Sequence, residues 1–209
     1  YSGATPLLEA MLSVRYVLAD NAMEESPLRT LVSSSGNTYL YQNNYTLPLG
    51  FMMDEQVVTD WDYKNSDDIE TQNELAYLLG ASEQMLTPVE SFSEPGVFSF
   101  VADKTGYYYV TYEKTTVGNL TEETSDGRSR SFTKVSHGYT LDMGYCEEGT
   151  EVKVRNQDNE TLEVKVYYLD LDAFYEAYDT LNGQTFEMAG FENNKITGTV
   201  DAKEAGRLI

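Results

Sequence analysis

The chain has 209 residues, enough for one large domain or two small ones without cross-links, and its single cysteine, Cys146, excludes an internal disulfide framework. Its 35 acidic and 14 basic residues leave a net charge of −21, which repels phosphate backbones and anionic lipid surfaces, so no nucleic-acid partner is expected. No apolar run reaches the roughly 20 residues that a membrane helix requires.

Thr5-Pro6 opens a helix, with a capping hydroxyl and a proline at the first helical position. Leu7, Leu8, Met11 and Leu12 fall on one helical face. The period then shortens to two at Val14, Tyr16 and Leu18, which predicts a strand. Residues 28–33 and 38–42 flank the turn-forming Ser34-Ser35-Gly36-Asn37 and predict a hairpin. Residues 47–52 are extended and apolar, and Pro48 confines them to an edge. Residues 54–68 read as an acidic loop. Asp67 and Glu70 then form a capping box for a helix that stops at Gly80 and buries Ile69, Ala76 and Leu79.

From about residue 92 the pattern is β. Seventeen tyrosines and eight phenylalanines fit that leaning. Residues 97–102 and 107–113 predict a hairpin around Asp103-Lys104-Thr105-Gly106. Residues 118–131 are polar and read as a mobile loop, followed by strands near 131–136 and 139–143. The clearest predicted hairpin pairs 150–155 with 160–168. There Val152 and Val154 alternate with Lys153, and Leu162, Val164 and Val166 alternate with Glu163 and Lys165. A helix near 170–182 is capped by Asp170 or Asp172, carries Phe174, Tyr178 and Leu181 on its apolar stripe, and ends at Asn182-Gly183. Strands at 184–190 and 195–201 follow. Residues 206–209 read as the opening of a further strand, so the C-terminus is expected to be truncated. Beginning at Tyr1 with no signal peptide, the chain is expected to be processed or excised from a longer protein.

The expected fold is mostly β with α+β elements. An antiparallel β-sandwich over 91–209, with one inserted helix, packs on a small helix–strand–hairpin–helix unit over 1–90.

The order of these pieces resembles the YfhO family of bacterial polytopic membrane proteins. Ser2-Gly3, Thr5-Pro6-Leu7-Leu8 and Ser13-Val14-Arg15-Tyr16-Val17-Leu18 carry the first part of the likeness. Tyr39-Leu40-Tyr41-Gln42-Asn43, Leu47-Pro48-Leu49-Gly50-Phe51-Met52, Asn73-Glu74-Leu75 and Leu86-Thr87-Pro88-Val89 carry the middle. Asp170-Leu171-Asp172-Ala173-Phe174 and Lys195-Ile196-Thr197-Gly198-Thr199-Val200 carry the end. The resemblance implies an extracytoplasmic position beside membrane helices outside this chain. It also implies a parent similar to polyprenyl-phosphate-sugar-dependent glycosyltransferases that act on lipoteichoic acid or other cell-wall polymers. Its implied partners are the membrane-embedded part and a cell-wall glycan or polyprenyl-linked sugar. In such enzymes the catalytic acid lies in the membrane part, so no catalytic residue is assigned here. A stand-alone carbohydrate-active enzyme or carbohydrate-binding module is the alternative.

Residue chemistry adds two candidates. Trp61 and Tyr63 are aromatic groups beside carboxylates, the combination that stacks on sugar rings and binds their hydroxyls. Asp60, Asp62 and Asp67, with Asn65 between them, offer oxygens to calcium, although the EF-hand spacing fails at its glycine and glutamate positions. No other cofactor is expected. Ser131-Phe132-Thr133-Lys134, Lys104-Thr105-Gly106 and Ser125-Asp126-Gly127 imitate the motifs of penicillin-binding proteins, but their order is reversed and Ser131 to Lys134 lie in a strand-like stretch where i and i+3 face opposite ways. The tyrosines at 107–109 and 112 read as sandwich packing, His137 as a surface turn residue, and Cys146 as unreactive beside Glu147-Glu148.

Overall fold

A computed structural model describes residues 5–20, 22–23, 26–64, 67–113, 116–136, 139–202 and 206–209, without the side chains of Thr116 and Val117. Strands make up 47% of the chain and helices 18%, all sheets are antiparallel, and none closes into a barrel. The class is therefore mostly β.

Helix α1 (Pro6–Met11) leads into strands β1 (Tyr16–Ala19), β2 (Arg29–Ser35) and β3 (Thr38–Asn43), a three-stranded sheet in the order β1-β3-β2. The short strand β4 (Met52–Met53) precedes helices α2 (Glu55–Asp60) and α3 (Asp68–Leu78). Next come β5 (Leu86–Val89), β6 (Ser91–Glu94), β7 (Val97–Val101), β8 (Gly106–Tyr112), β9 (Thr116–Thr124), β10 (Ser129–Ser136), β11 (Leu141–Cys146), β12 (Glu151–Asn156) and β13 (Val164–Leu169). They divide into a five-stranded sheet, β10-β9-β12-β7-β6, and a four-stranded sheet, β11-β8-β13-β5. Helix α4 (Leu171–Asn182), the hairpin β14 (Phe186–Glu192) and β15 (Lys195–Val200), and β16 (Arg207–Leu208) complete the chain. β16 pairs with β4 and so returns the C-terminal segment to the N-terminal elements.

The four-stranded sheet is covered on both faces. One face meets the five-stranded sheet around Phe98, Phe100, Tyr108, Val110, Val152 and Val154. The other meets the helices, where Tyr107, Tyr109 and Leu169 join Leu7, Leu75, Phe174 and Leu181. A strand buried on both faces loses the wet side of its alternation. That is why Tyr107, Tyr108 and Tyr109 are all buried, at 3%, 0% and 1% exposure.

Five expectations are corrected. Residues 97–101 and 106–112 do not pair with each other: β7 lies in one sheet and β8 in the other. The same holds for β12 and β13. Both connections are arches from sheet to sheet. Alternation reports which face is buried but not which strand lies alongside, so an arch and a hairpin look alike in sequence. Residues 55–60 form a helix within the expected acidic loop, with the Asp54 carboxylate accepting from the Gln56 amide at 2.6 Å and Val57 buried. Most of the expected polar loop at 118–131 is the hairpin of β9 and β10. In α1, finally, Leu12 is 69% exposed while Glu9 is buried with Leu7 and Ala10. The interior selected a carboxylate where the sequence pattern favoured leucine.

The facing of α1 can be tested by urea unfolding. Leu7→Ala removes a fully buried side chain and is expected to cost about 2–5 kcal/mol. Leu12→Ala is expected to change stability by less than about 0.5 kcal/mol. Equal losses at the two positions would reverse the facing.

Candidate functional site

The deepest polar feature grows from two strand positions. Glu122 lies on β9 two residues beyond Leu120, so both side chains point into the sandwich. Its antiparallel register partner on β10 is Arg130. Arg130 Nε donates to Glu122 Oε2 at 2.6 Å, and Arg128 Nη2 donates to Glu122 Oε1 at 3.2 Å. The carboxylate is fully enclosed. The arginines also reach the opposite sheet. Arg128 donates to the Tyr145 carbonyl at 3.1 Å and to Cys146 Sγ at 3.4 Å, and Arg130 donates to the Asp142 carbonyl at 3.2 Å.

Arg29 opens β2 and makes a second cluster. Its Nη2 donates to both oxygens of Glu9 at 3.0 and 3.2 Å, its Nη1 to Asp142 Oδ2 at 2.8 Å, and its Nε to Asn43 Oδ1 at 3.1 Å. Asn43 Nδ2 donates in turn to Glu9 Oε2 at 3.1 Å and to the Val14 carbonyl at 2.7 Å. Burial opposes the charge of Arg29, but Asp142 and Glu9 together outweigh it and raise its pKa above the ordinary value. One guanidinium thus ties α1, β2 and β3 to β11.

The clusters meet at Asp142, whose carboxylate takes Arg29 and whose carbonyl takes Arg130. Asp142 Oδ1 also accepts from the Gly144 amide at 2.7 Å, across a bulge in β11. Gly144 has φ +83°, and a Cβ there would lie 3.2 Å from Arg128 Nη1. The left-handed conformation favours glycine, and an added Cβ would also press on the Arg128 guanidinium. Beside it a cavity of about 10 Å³ is lined by Ser26, Arg29, Tyr107, Arg128, Arg130 and Tyr145. Guanidinium groups do not release protons in proteins, so this arrangement can orient and bind but supplies no general base from its cations.

The residues singled out from sequence lie elsewhere. Trp61 is half-buried against the helical core, and its indole N–H donates to the Thr71 carbonyl at 2.9 Å. Tyr63 is 62% exposed, with its ring 6.0 Å from that of Trp61 and Lys64 Nζ 5.4 Å above it. Asp60 ends α2. Asp62 Oδ1 accepts from the Lys64 amide at 3.2 Å. Asp67 caps α3 by accepting from the Ile69 and Glu70 amides at 2.9 and 3.1 Å. Among the described residues no three acidic, histidine or cysteine side chains gather as metal ligands. Asn65 and His137 lie outside the described residues. Ser131 to Lys134 sit on β10. Burial pushes the hydroxyls of Tyr107, Tyr108 and Tyr109 up and keeps them neutral. It also pushes the Cys146 thiol up, partly offset by Arg128.

Sequence reasoning missed Glu9, Arg29, Asn43, Glu122, Arg128, Arg130 and Asp142. One signal was present: Arg128 and Arg130 stand two apart, six and eight residues past Glu122 on the same polar stretch.

Arg29→Met leaves Glu9 and Asp142 without their buried partner, and is expected to cost about 3–5 kcal/mol in chemical unfolding. A loss below 1 kcal/mol would remove the network from any organising role. Cys146, 1% exposed, is expected to resist maleimide until the protein unfolds. Rapid labelling of the native protein would contradict its placement.

Comparison with known proteins separates fold from family. No curated protein matches the chain. A DUF861 family protein from Thermotoga maritima is 14% identical, with 39% of this chain and 78% of that one covered and a TM-score of 0.24. The CENP-C cupin domain of Drosophila melanogaster is also 14% identical, with 43% and 59% covered and a TM-score of 0.23. Scores this low carry no argument. The family described as bacterial membrane protein YfhO matches residues 1–125, more than half of the 209. The matched region holds Glu9, Arg29, Asn43 and Glu122, and by that match the chain belongs to the YfhO family of bacterial membrane proteins.

Proposed function

We propose that this chain is an extracytoplasmic, non-catalytic accessory domain of a membrane protein whose membrane-embedded part acts as a glycosyltransferase on lipoteichoic acid or another cell-wall polymer. The observation that carries the reading is a β-rich body with its own two cores inside a membrane-protein family. No helix among the described residues is long and apolar enough to cross a bilayer. Charge supports the side of the membrane. The cytoplasmic leaflet bears a negative surface potential, and a body of net charge −21 is disfavoured beside it. The buried charges support a scaffold, because Glu122, Arg128, Arg130 and Arg29 are tied into ion pairs between elements.

Our reading puts the domain's own contact with sugar at Trp61 and Tyr63. Tyr63 offers an exposed ring face, Trp61 anchors it to the core, and Asp60 and Asp62 offer oxygens to sugar hydroxyls or to a bridging calcium. The glycan, the polyprenyl-linked sugar and the membrane part are the partners of this reading.

Tyr77 is 74% exposed, so Tyr77→Cys in the full-length protein reports the side of the membrane. Labelling of intact cells by a membrane-impermeant maleimide is expected. Labelling only after permeabilisation would place the domain in the cytoplasm. For the contact itself, titration with neutral cell-wall oligosaccharides is expected to shift the Trp61 indole resonance saturably, and Tyr63→Ala to weaken binding several-fold. Shifts confined to other surfaces would move the site away from this loop.

A further inference from the structure

We propose that the cavity where Arg29, Arg128 and Arg130 converge is a binding site for a small monovalent anion of the halide class. Three of the chain's 14 basic residues line this one cavity, and no carboxylate among the described residues does. Its other polar lining includes the hydroxyl residues Ser26 and Tyr107 and the backbone of Gly144. The described part of this surface offers hydrogen-bond donors, chiefly from the guanidinium groups.

Donor supply exceeds demand at this point. Arg128 has nine-tenths of its side chain buried, yet its Nε–H has no hydrogen-bond partner. A buried unpaired donor on a charged group is destabilising, and an anion beside it removes that cost. Arg130 donates only from Nε and Nη2, which leaves the Nη1 hydrogens unassigned.

Size selects the ligand. A volume of about 10 Å³ fits one water-sized particle. Chloride and bromide are single spheres somewhat larger than water, whereas sulfate, phosphate and carboxylates are polyatomic and larger still. Glu9, Glu122 and Asp142 already balance the three arginines, so the anion is held by directed donors and not by excess charge. The site sits where the clusters join, so an occupant stabilises the contact between β2, the turn before β10, and β11.

The test uses the purified chain at fixed ionic strength, with sodium gluconate replaced stepwise by chloride or bromide. The thermal midpoint is expected to rise saturably with either halide, and the ³⁵Cl NMR line to broaden on adding protein and sharpen again with bromide. Arg128→Lys keeps the charge but removes Nε–H, and is expected to abolish both effects. Where that variant does not fold, bromide-soaked crystals of the unaltered protein decide the question. An anomalous peak within hydrogen-bond distance of Arg128 Nε supports the site. Identical midpoints in gluconate and halide with an unbroadened ³⁵Cl line would overturn the proposal. So would halide effects undiminished in a folded Arg128→Lys, or bromide found only on the outer surface.

Discussion

The fold depends on one buried guanidinium. Arg29 carries a charge that burial alone would not tolerate, and it is accepted only because Glu9, Asn43 and Asp142 surround it from three directions. Asn43 is its direct register partner across β2 and β3, so the cross-strand pairing and the side-chain bond specify each other. A slip of one residue would turn Arg29 to the outer face and leave Glu9 buried without a cation. Hydrophobic packing rewards many registers to similar degrees. A buried ion network rewards one, and here it fixes α1, β2 and β3 against β11 at the same time.

That constraint also explains the layering. The four-stranded sheet must serve two cores, and β8 sits inside it with tyrosines on both faces. Tyr107 and Tyr109 face the helices, near Arg29, while Tyr108 faces the sandwich and donates to Asp103 Oδ1 at 2.9 Å or to the Lys104 carbonyl at 2.7 Å. Tyrosine suits both sites because it supplies a large apolar ring and a hydroxyl that can reach a partner. The Tyr107 hydroxyl accepts from the Leu28 amide at 3.2 Å, which brings the residue just before Arg29 to the sheet.

Several local signals in the sequence reported local structure faithfully. The capping aspartates of α3 and α4, the turn between β2 and β3, and the Lys153 and Lys165 alternations all describe what a segment does with its nearest neighbours. Pairing across the sandwich was not legible. Val152 and Val164 show the same alternation whether their strands lie side by side or face each other across a core. The mostly-β class therefore followed from the sequence, but the arches did not. The buried charges were hidden for a related reason. Glu9 is a single acidic letter in a mostly apolar stretch and Glu122 stands beside Glu123 in a polar one, and each becomes an interior residue only through an arginine brought close by the fold. Trp61 and Tyr63 drew attention because aromatic rings in an acidic loop are conspicuous, a signal of composition more than of geometry.

The same network shapes what the outside of the protein can bind. Three of only 14 basic residues are enclosed, so the solvent-facing surface is even poorer in cations than the composition suggests. Exposed Lys153, Arg155, Lys165 and Arg207 are each paired with a glutamate. Such a surface meets a polyphosphate backbone with repulsion screened only by salt. If the domain touches a cell-wall polymer, its favoured contact is a neutral sugar stacked on an aromatic ring, away from the phosphates. This follows from charge alone, and it points to the same loop that the aromatic residues at 61 and 63 occupy.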